Sequence, residues 1–171
     1  VWTWRRNTIV QVDPDTGEEL QTISLQEDIV TAHGLHGVFS LFAKEQEEGL
    51  VYRANAFHAN DIEVLDEGMA EAFPMFEAGD LLISLRSINL VEVVDANTYK
   101  PKWWRIGPWH RQHDPDFLPN GSISVYDNNM GMGESRIVVV HPHTGRYDVL
   151  VEGGEQLDFY SWRRGKHQHL E

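Results

Sequence analysis

The feature that most constrains this chain is a β-hairpin signature that occurs three times. Asn7-Thr8-Ile9-Val10-Gln11-Val12 alternates polar and apolar residues, Asp13-Pro14-Asp15-Thr16-Gly17 breaks the run, and residues 18–25 resume it. The same grammar returns at residues 90–94, Asp95-Ala96-Asn97-Thr98 and residues 101–106. It returns again at residues 136–140, His141-Pro142-His143-Thr144-Gly145 and residues 146–151. Period-two alternation interrupted by turn residues reads as strand, tight turn, strand. Three hairpins sharing a D/H-x-x-T turn form an internal repeat, and a repeat decides the fold class before any single motif does.

Two of the hairpins extend backwards into four-strand units. One comprises residues 61–65, 80–85, 90–94 and 102–106; the other comprises residues 116–118, 122–126, 137–140 and 147–151. Each unit is roughly 40–50 residues long, the size of one propeller blade. The expected fold is therefore all-β, a single β-propeller-like domain over residues 1–171 built from four-stranded antiparallel blades. A half-blade precedes the two full ones, residues 26–56 have no clear pattern, and a further strand is expected from Phe159. Residues 66–77 are the one expected helix, with Met69, Phe73 and Phe76 on one face. Helix content is otherwise expected to be low. That makes about three to four blades, a partial propeller, since a closed ring takes about four to eight. Unpaired blade edges then favour self-association into a homo-oligomer.

Composition narrows the partners. Fourteen basic against twenty-seven acidic residues give a net charge of −13, which argues against nucleic acid and anionic membrane surfaces. No apolar run approaches the roughly 18 residues of a membrane span, and the start, Val1-Trp2-Thr3-Trp4-Arg5-Arg6, has no apolar signal-peptide core. The absence of cysteine removes disulfides, thiolate metal sites and cysteine nucleophiles together, and leaves the compartment open.

Both four-strand units begin alike, with Phe57-His58-Ala59-Asn60-Asp61 and Arg111-Gln112-His113-Asp114-Pro115-Asp116. The innermost strand of a blade lines the central channel, so His58 and His113 are expected to converge there. The second strands end in Arg86 and in Asp127-Asn128. Two imidazoles, a guanidinium and amides suit a tetrahedral oxyanion, because Arg offers a planar fork and His can act as nucleophile, base or neutral donor.

The stretch from His58-Ala59-Asn60-Asp61-Ile62-Glu63 through Gly79-Asp80-Leu81-Leu82-Ile83-Ser84-Leu85-Arg86 resembles the arylsulfotransferase-like propeller family. So do Gln112-His113-Asp114 with Leu118-Pro119-Asn120-Gly121, Tyr126-Asp127-Asn128, and the terminal Phe159-Tyr160-Ser161, Gly165 and Gln168. The likeness covers about two thirds of the chain. It implies part of a six-bladed propeller and sulfuryl transfer from an aryl sulfate to a phenol, with no nucleotide sulfate donor and no cofactor. The compartment stays open, with a periplasmic or secreted full-length protein as one option. Carried over by motif, His58 and His113 are channel histidines, Arg86 is the oxyanion clamp, and Asn60, Asn128 and Gln168 line the substrate site. Ser87 follows Arg86 where many relatives carry His, and either histidine could be the nucleophile.

Other features have plainer readings. Asp61 and Asp114 are expected to serve local turn and strand-start hydrogen bonds. The His33/His36 and His141/His143 pairs have metal-like spacing but no third ligand nearby, so no metal is expected. Residues 163–169 are basic and read as a frayed end or loop. Trp103, Trp104 and Trp109 are expected to pack between blades. The alternative to an enzyme is a non-catalytic propeller that binds a small anion or a protein partner on its face.

Overall fold

The structure is a computed structural model that describes residues 1–40 and 43–170. Strand accounts for 41% and helix for 10%, so the chain is all-β with little helix, as the hairpin repeat predicts. Four antiparallel sheets form, none of them closed. The first holds β1 (Trp2–Arg5), β2 (Thr8–Val12) and β3 (Glu19–Ser24) in that order. A hairpin of β4 (Ala43–Gln46) and β5 (Gly49–Tyr52) follows. Two four-stranded blades complete the fold. One is β6 (Ala59–Val64), β7 (Leu81–Leu85), β8 (Leu90–Val94) and β9 (Pro101–Ile106). The other is β10 (His113–Phe117), β11 (Ile123–Asp127), β12 (Arg136–Val140) and β13 (Tyr147–Glu152). Each blade meanders with its strands in sequence order.

The repeated turns share one chemistry. Asp13 Oδ1 accepts from the Asp15 and Thr16 amides at 2.9 and 2.8 Å, and Asp95 Oδ1 accepts from Asn97 and Thr98 at 2.9 and 2.7 Å. Asx side chains hold such turns by imitating a backbone acceptor. The Thr16, Thr98 and Thr144 hydroxyls then accept from the amides two residues on. The fifth turn position is left-handed in all three hairpins, filled by Gly17 (φ 74°), Tyr99 (φ 58°) and Gly145 (φ 71°). Glycine takes that conformation without steric cost; in the middle hairpin Tyr99 adopts it instead.

Alternation along β7 and β8 sends side chains to two cores. Leu81, Ile83, Leu85, Leu90 and Val94 pack with Ile9, Ile23 and Phe57 on one face. Leu82, Val91 and Val93 pack with Ile123, Val125, Val138 and Val140 on the other. The β6–β9 sheet is thus buried on both sides, the situation of a blade between neighbours. Each such aliphatic side chain contributes roughly 1.5–3 kcal/mol by leaving water.

Several elements differ from expectation. Helix in residues 66–77 is confined to one turn, Glu67–Ala70, capped by Asp66, whose side chain accepts from the Gly68 amide. Phe73 and Phe76 are nonetheless buried beside Phe117, because turns rather than helix carry them inward. Residues 26–56 contain a π-helical segment, Leu25–Thr31, a short helix, His36–Phe39, and the β4–β5 hairpin. No strand starts at Phe159; its carbonyl accepts from the Ser135 amide at 2.8 Å, and residues 159–167 lie across the β10–β13 blade as irregular chain. Trp109 is fully buried between the blades and Trp103 packs against the same core, but Trp104 is exposed, since it points to the other face of β9.

Candidate active site

The first strands of the two blades, β6 and β10, pack side by side. His58 immediately precedes β6 and His113 opens β10. Both strands then break register at equivalent places, between Ala59 and Asp61 and between His113 and Asp116. Beyond the irregularity Asp61 pairs with Ser84, as Asp116 pairs with Ser124. Such bulges re-aim side chains next to them. The Arg86 amide donates to the His58 carbonyl at 3.1 Å, which sets the guanidinium-bearing residue directly across from His58.

The bond that fixes the chemistry of His113 runs from Nδ1 to Asn128 Oδ1, at 2.6 Å. The orientation of that amide is determined by its other end: Asn128 Nδ2 donates to the Ser161 carbonyl at 2.7 Å and to the Arg164 carbonyl at 3.0 Å. The oxygen therefore faces His113 and can only accept, so Nδ1 carries the proton. In a neutral ring Nε2 then holds the free lone pair. Ser161 is tied down in turn, its amide donating to Ser135 Oγ at 2.9 Å.

His58 Nδ1 lies 3.0 Å from Asn55 Nδ2. Burial first, then the charges of Arg86, His113 and Arg111, hold the His58 imidazole below its ordinary value of 6.5. His113 is also lowered, by burial first and by Arg86, against the opposing Asn128 bond. Both rings are thus biased toward the neutral form, the one that can attack or accept a proton. Arg86 makes no ion pair among the described residues; its Nη2 meets only Met130 Sδ at 3.7 Å. Burial and the neighbouring Arg111 and Arg163 charges lower its proton affinity as well. Among the described residues Arg86 thus keeps an unpaired guanidinium whose charge reaches both imidazoles.

The backbone here is unusual. His58 (φ 51°), Asn89 (φ 53°), Arg111 (φ 60°), Asp114 (φ 49°) and Asn129 (φ 47°) are all left-handed. Asn, Asp and His tolerate that region better than most residues. Arg111 is held there by bonds: its amide donates to Asn89 Oδ1 at 2.9 Å and Nη1 donates to the Ser87 carbonyl at 2.8 Å.

Asn60 and Gln168 sit differently from the other residues picked out in the sequence. Asn60 Nδ2 donates to the Gln112 carbonyl at 2.8 Å, so this side chain positions the residue before His113. Gln112 is itself fully buried and pinned to Ser84 Oγ and the Leu90 carbonyl. Gln168 is exposed and lines a separate cavity with Glu63, Asp116, Phe117, Lys166 and His167. His58, Arg86, His113 and Asn128 share one end of the two blades; Gln168 is not among them.

Beside that second cavity lies a carboxylate cluster. Asp114 does not serve a local turn: Oδ2 accepts from the His167 amide at 2.6 Å, and Lys166 Nζ is 3.5 Å from Oδ1. Burial opposes ionisation of Asp114, but the His167 bonds and the Lys166 charge outweigh it and lower its pKa. Its neighbours go the other way, Asp61 pushed up to about 7 by burial and by Asp114 and Asp116, and Glu63 up to about 7 by burial. Asp114, Asp116 and His167 place ligand atoms within 4.8 Å of one another, the one such grouping among the described residues. Lys166 already supplies a countercharge to it. His33 Nε2 faces the Thr98 carbonyl at 3.2 Å, and His141 Nε2 lies 3.6 Å from Asp148. The basic segment 163–169 is thus packed rather than frayed at its centre, with His167 Nε2 at 2.8 Å from Ser124 Oγ.

The sequence missed the partners of Asn128 and Asp127. Asp127 is fully buried and accepts from the His110 and Asn129 amides and from Arg136 Nε at 2.9 Å, closing the end of the blade beneath Asn128.

The fold and site define an all-β chain of propeller-type blades, with a histidine at the start of each innermost strand and an arginine just after β7. The profile of the arylsulfotransferase (ASST) family matches residues 3–171, and the chain belongs to that family. No curated protein matches the chain significantly.

Proposed function

We propose that the protein transfers a sulfuryl group from an aryl sulfate to a phenol through a sulfo-histidine on His113. The observation that carries this reading is the Asn128 amide, locked by two main-chain carbonyls so that His113 presents an unprotonated Nε2. In the first half-reaction the Nε2 lone pair attacks sulfur, an N–S bond forms and the aryl O–S bond breaks, its electron pair leaving on the phenoxide. Arg86 holds the sulfuryl oxygens and the developing phenoxide, which leaves as the anion and takes its proton from water, while His58 stays neutral. In the second, His58 takes the proton of the acceptor phenol, the phenolic oxygen attacks sulfur, and the N–S pair returns to Nε2. A charged donor aimed at developing negative charge is worth about 10²–10³ in rate. Membership of the family supports aryl sulfates and phenols as the substrate class.

The same reading makes these blades part of a six-bladed ring. The outer strand β13 is exposed along its whole length, with Tyr147, Val149, Leu150 and Val151 at the surface, which supports pairing of this edge with a further blade or a second copy.

The test is intact-mass spectrometry after incubation with an aryl sulfate at mildly alkaline pH, followed by peptide mapping. Gain of one sulfuryl group on His113 is the expected result. A folded chain that binds phenyl sulfate but gains no mass would instead favour the anion-binding, non-catalytic alternative.

A further inference from the structure

One cavity next to the histidines is not used by this chemistry. It has a volume of about 310 Å³ and is lined by Ala43, Lys44, Arg53, Asn55, Ala56, Ser87 and Arg111. Three of those seven side chains are cationic and none is acidic, in a chain that carries twenty-seven acidic residues against fourteen basic. Lys44, Arg53 and Arg111 form no ion pair among the described residues. Arg111 is preorganised, since one guanidinium nitrogen is fixed on the Ser87 carbonyl at 2.8 Å and its main chain on Asn89. Its charge is felt at both Arg86 and His58, whose proton affinities it lowers. Three cationic side chains lining one cavity, with no countercharge among the described residues, favour an anion there.

From these observations we infer that the Lys44/Arg53/Arg111 cavity receives a second anionic group, such as a carboxylate, carried by the aryl substrate. Asn55 links the cavity to His58: it bonds His58 Nδ1 and also lines the cavity. A ligand seated at His58 and Arg86 therefore has the cavity one side chain away. Ala43 and Ala56 give the cavity an apolar flank that a ring edge can cover, and its size is at the lower end for small-molecule sites. The assignment rests on the sulfuryl-transfer reading for the identity of the ring, while the anion preference stands on the cavity alone.

The experiment compares phenol with 4-hydroxybenzoate as acceptors from 4-nitrophenyl sulfate, in the full chain and in the Lys44→Ala/Arg53→Ala double variant. Both substituted side chains are exposed and outside the transfer machinery. The expected result is a kcat/KM for 4-hydroxybenzoate lowered about 30-fold, through KM, with phenol unchanged within about 2-fold. Equal loss for both acceptors, or loss for neither, overturns the inference and leaves the transfer reading standing. Should neither acceptor be sulfated by the parent chain, the transfer reading fails. Calorimetric binding then decides: salt-sensitive binding of 4-hydroxybenzoate over phenol, lost in the double variant, supports the cavity, and equal binding of the two overturns it. Inorganic sulfate serves as a third probe, and displacement of 4-hydroxybenzoate by sulfate at equal concentration would show a free-oxyanion site instead, against the inference.

Discussion

His113 Nδ1 stands 2.6 Å from Asn128 Oδ1, and the amide cannot turn over without giving up the Ser161 and Arg164 carbonyls. The relationship makes Asn128 a positioning residue acting through the ring it orients. Asn128→Ala is expected to lower kcat by about 10–100-fold, the usual cost of losing the group that fixes an imidazole, with KM little changed. Sulfo-adduct formation on His113 should slow in parallel; an unchanged rate would remove Asn128 from the mechanism.

His113→Ala should abolish transfer, because no other described group offers a free imidazole nitrogen oriented by a fixed amide. Steady-state turnover with an aryl sulfate checks this, and full activity in the variant would sink the assignment.

Both imidazoles are held below 6.5, by burial first, so each is neutral at pH 7. Activity is expected to be level from neutral pH upward and to fall only as acid protonates the rings, with the limb below 6.5. The stability sign agrees: between the lowered folded value and the unfolded one the unfolded chain binds more protons, so acid also destabilises the fold. A kcat/KM profile with its acid limb above 6.5 would contradict the burial of both rings.

Gly165 lies against the ring of Tyr126, and a Cβ there would overlap it. Gly165→Ala should lift residues 161–167 off the blade, loosening the two carbonyls that orient Asn128. The expected outcome is loss of transfer with the far-ultraviolet circular dichroism of the blades retained. Unaltered activity would show that the segment does not set the His113 tautomer.

Asp127 is fully buried, with Arg136 Nη2 at 2.5 Å. Asp127→Ala leaves that guanidinium and the His110 and Asn129 amides without their acceptor, and should cost about 3 kcal/mol in denaturant unfolding. A change below about 1 kcal/mol would mean that solvent replaces the carboxylate.

Asp61, pushed up to about 7 by burial and by Asp114 and Asp116, gives stability of the opposite pH sense. Its contribution is full below the unfolded value of 3.8 and is lost as pH rises through about 7. Asp61→Asn should therefore stabilise the chain at pH 8 by about 1 kcal/mol, after allowance for solvent screening, and do little at pH 4. Thermal unfolding at the two pH values would show it; equal shifts at both would place the cause in packing instead of charge.

The sequence by itself determined the hairpins, the two four-stranded blades and the strand-entrance positions of His58 and His113. Alternation and Asx-turn chemistry are local codes, written in residues that touch their neighbours along the chain, as Asp13 and Asp95 do with amides two and three residues on. Arg86 and Asn128 were legible in the same way, as the ends of the second strands, and the family resemblance added Asn60 and Gln168. The tertiary structure decided what those side chains do. Asn128 finds its carbonyl partners 33 and 36 residues further on, and Asp114 finds His167 across 53 residues. It also set Gln168 apart from the histidines and turned the expected strand at Phe159 into a strap over β11. Hydrogen-bond partners are selected by proximity in space, and periodicity along a chain carries no record of which distant carbonyl will lie beneath a given amide.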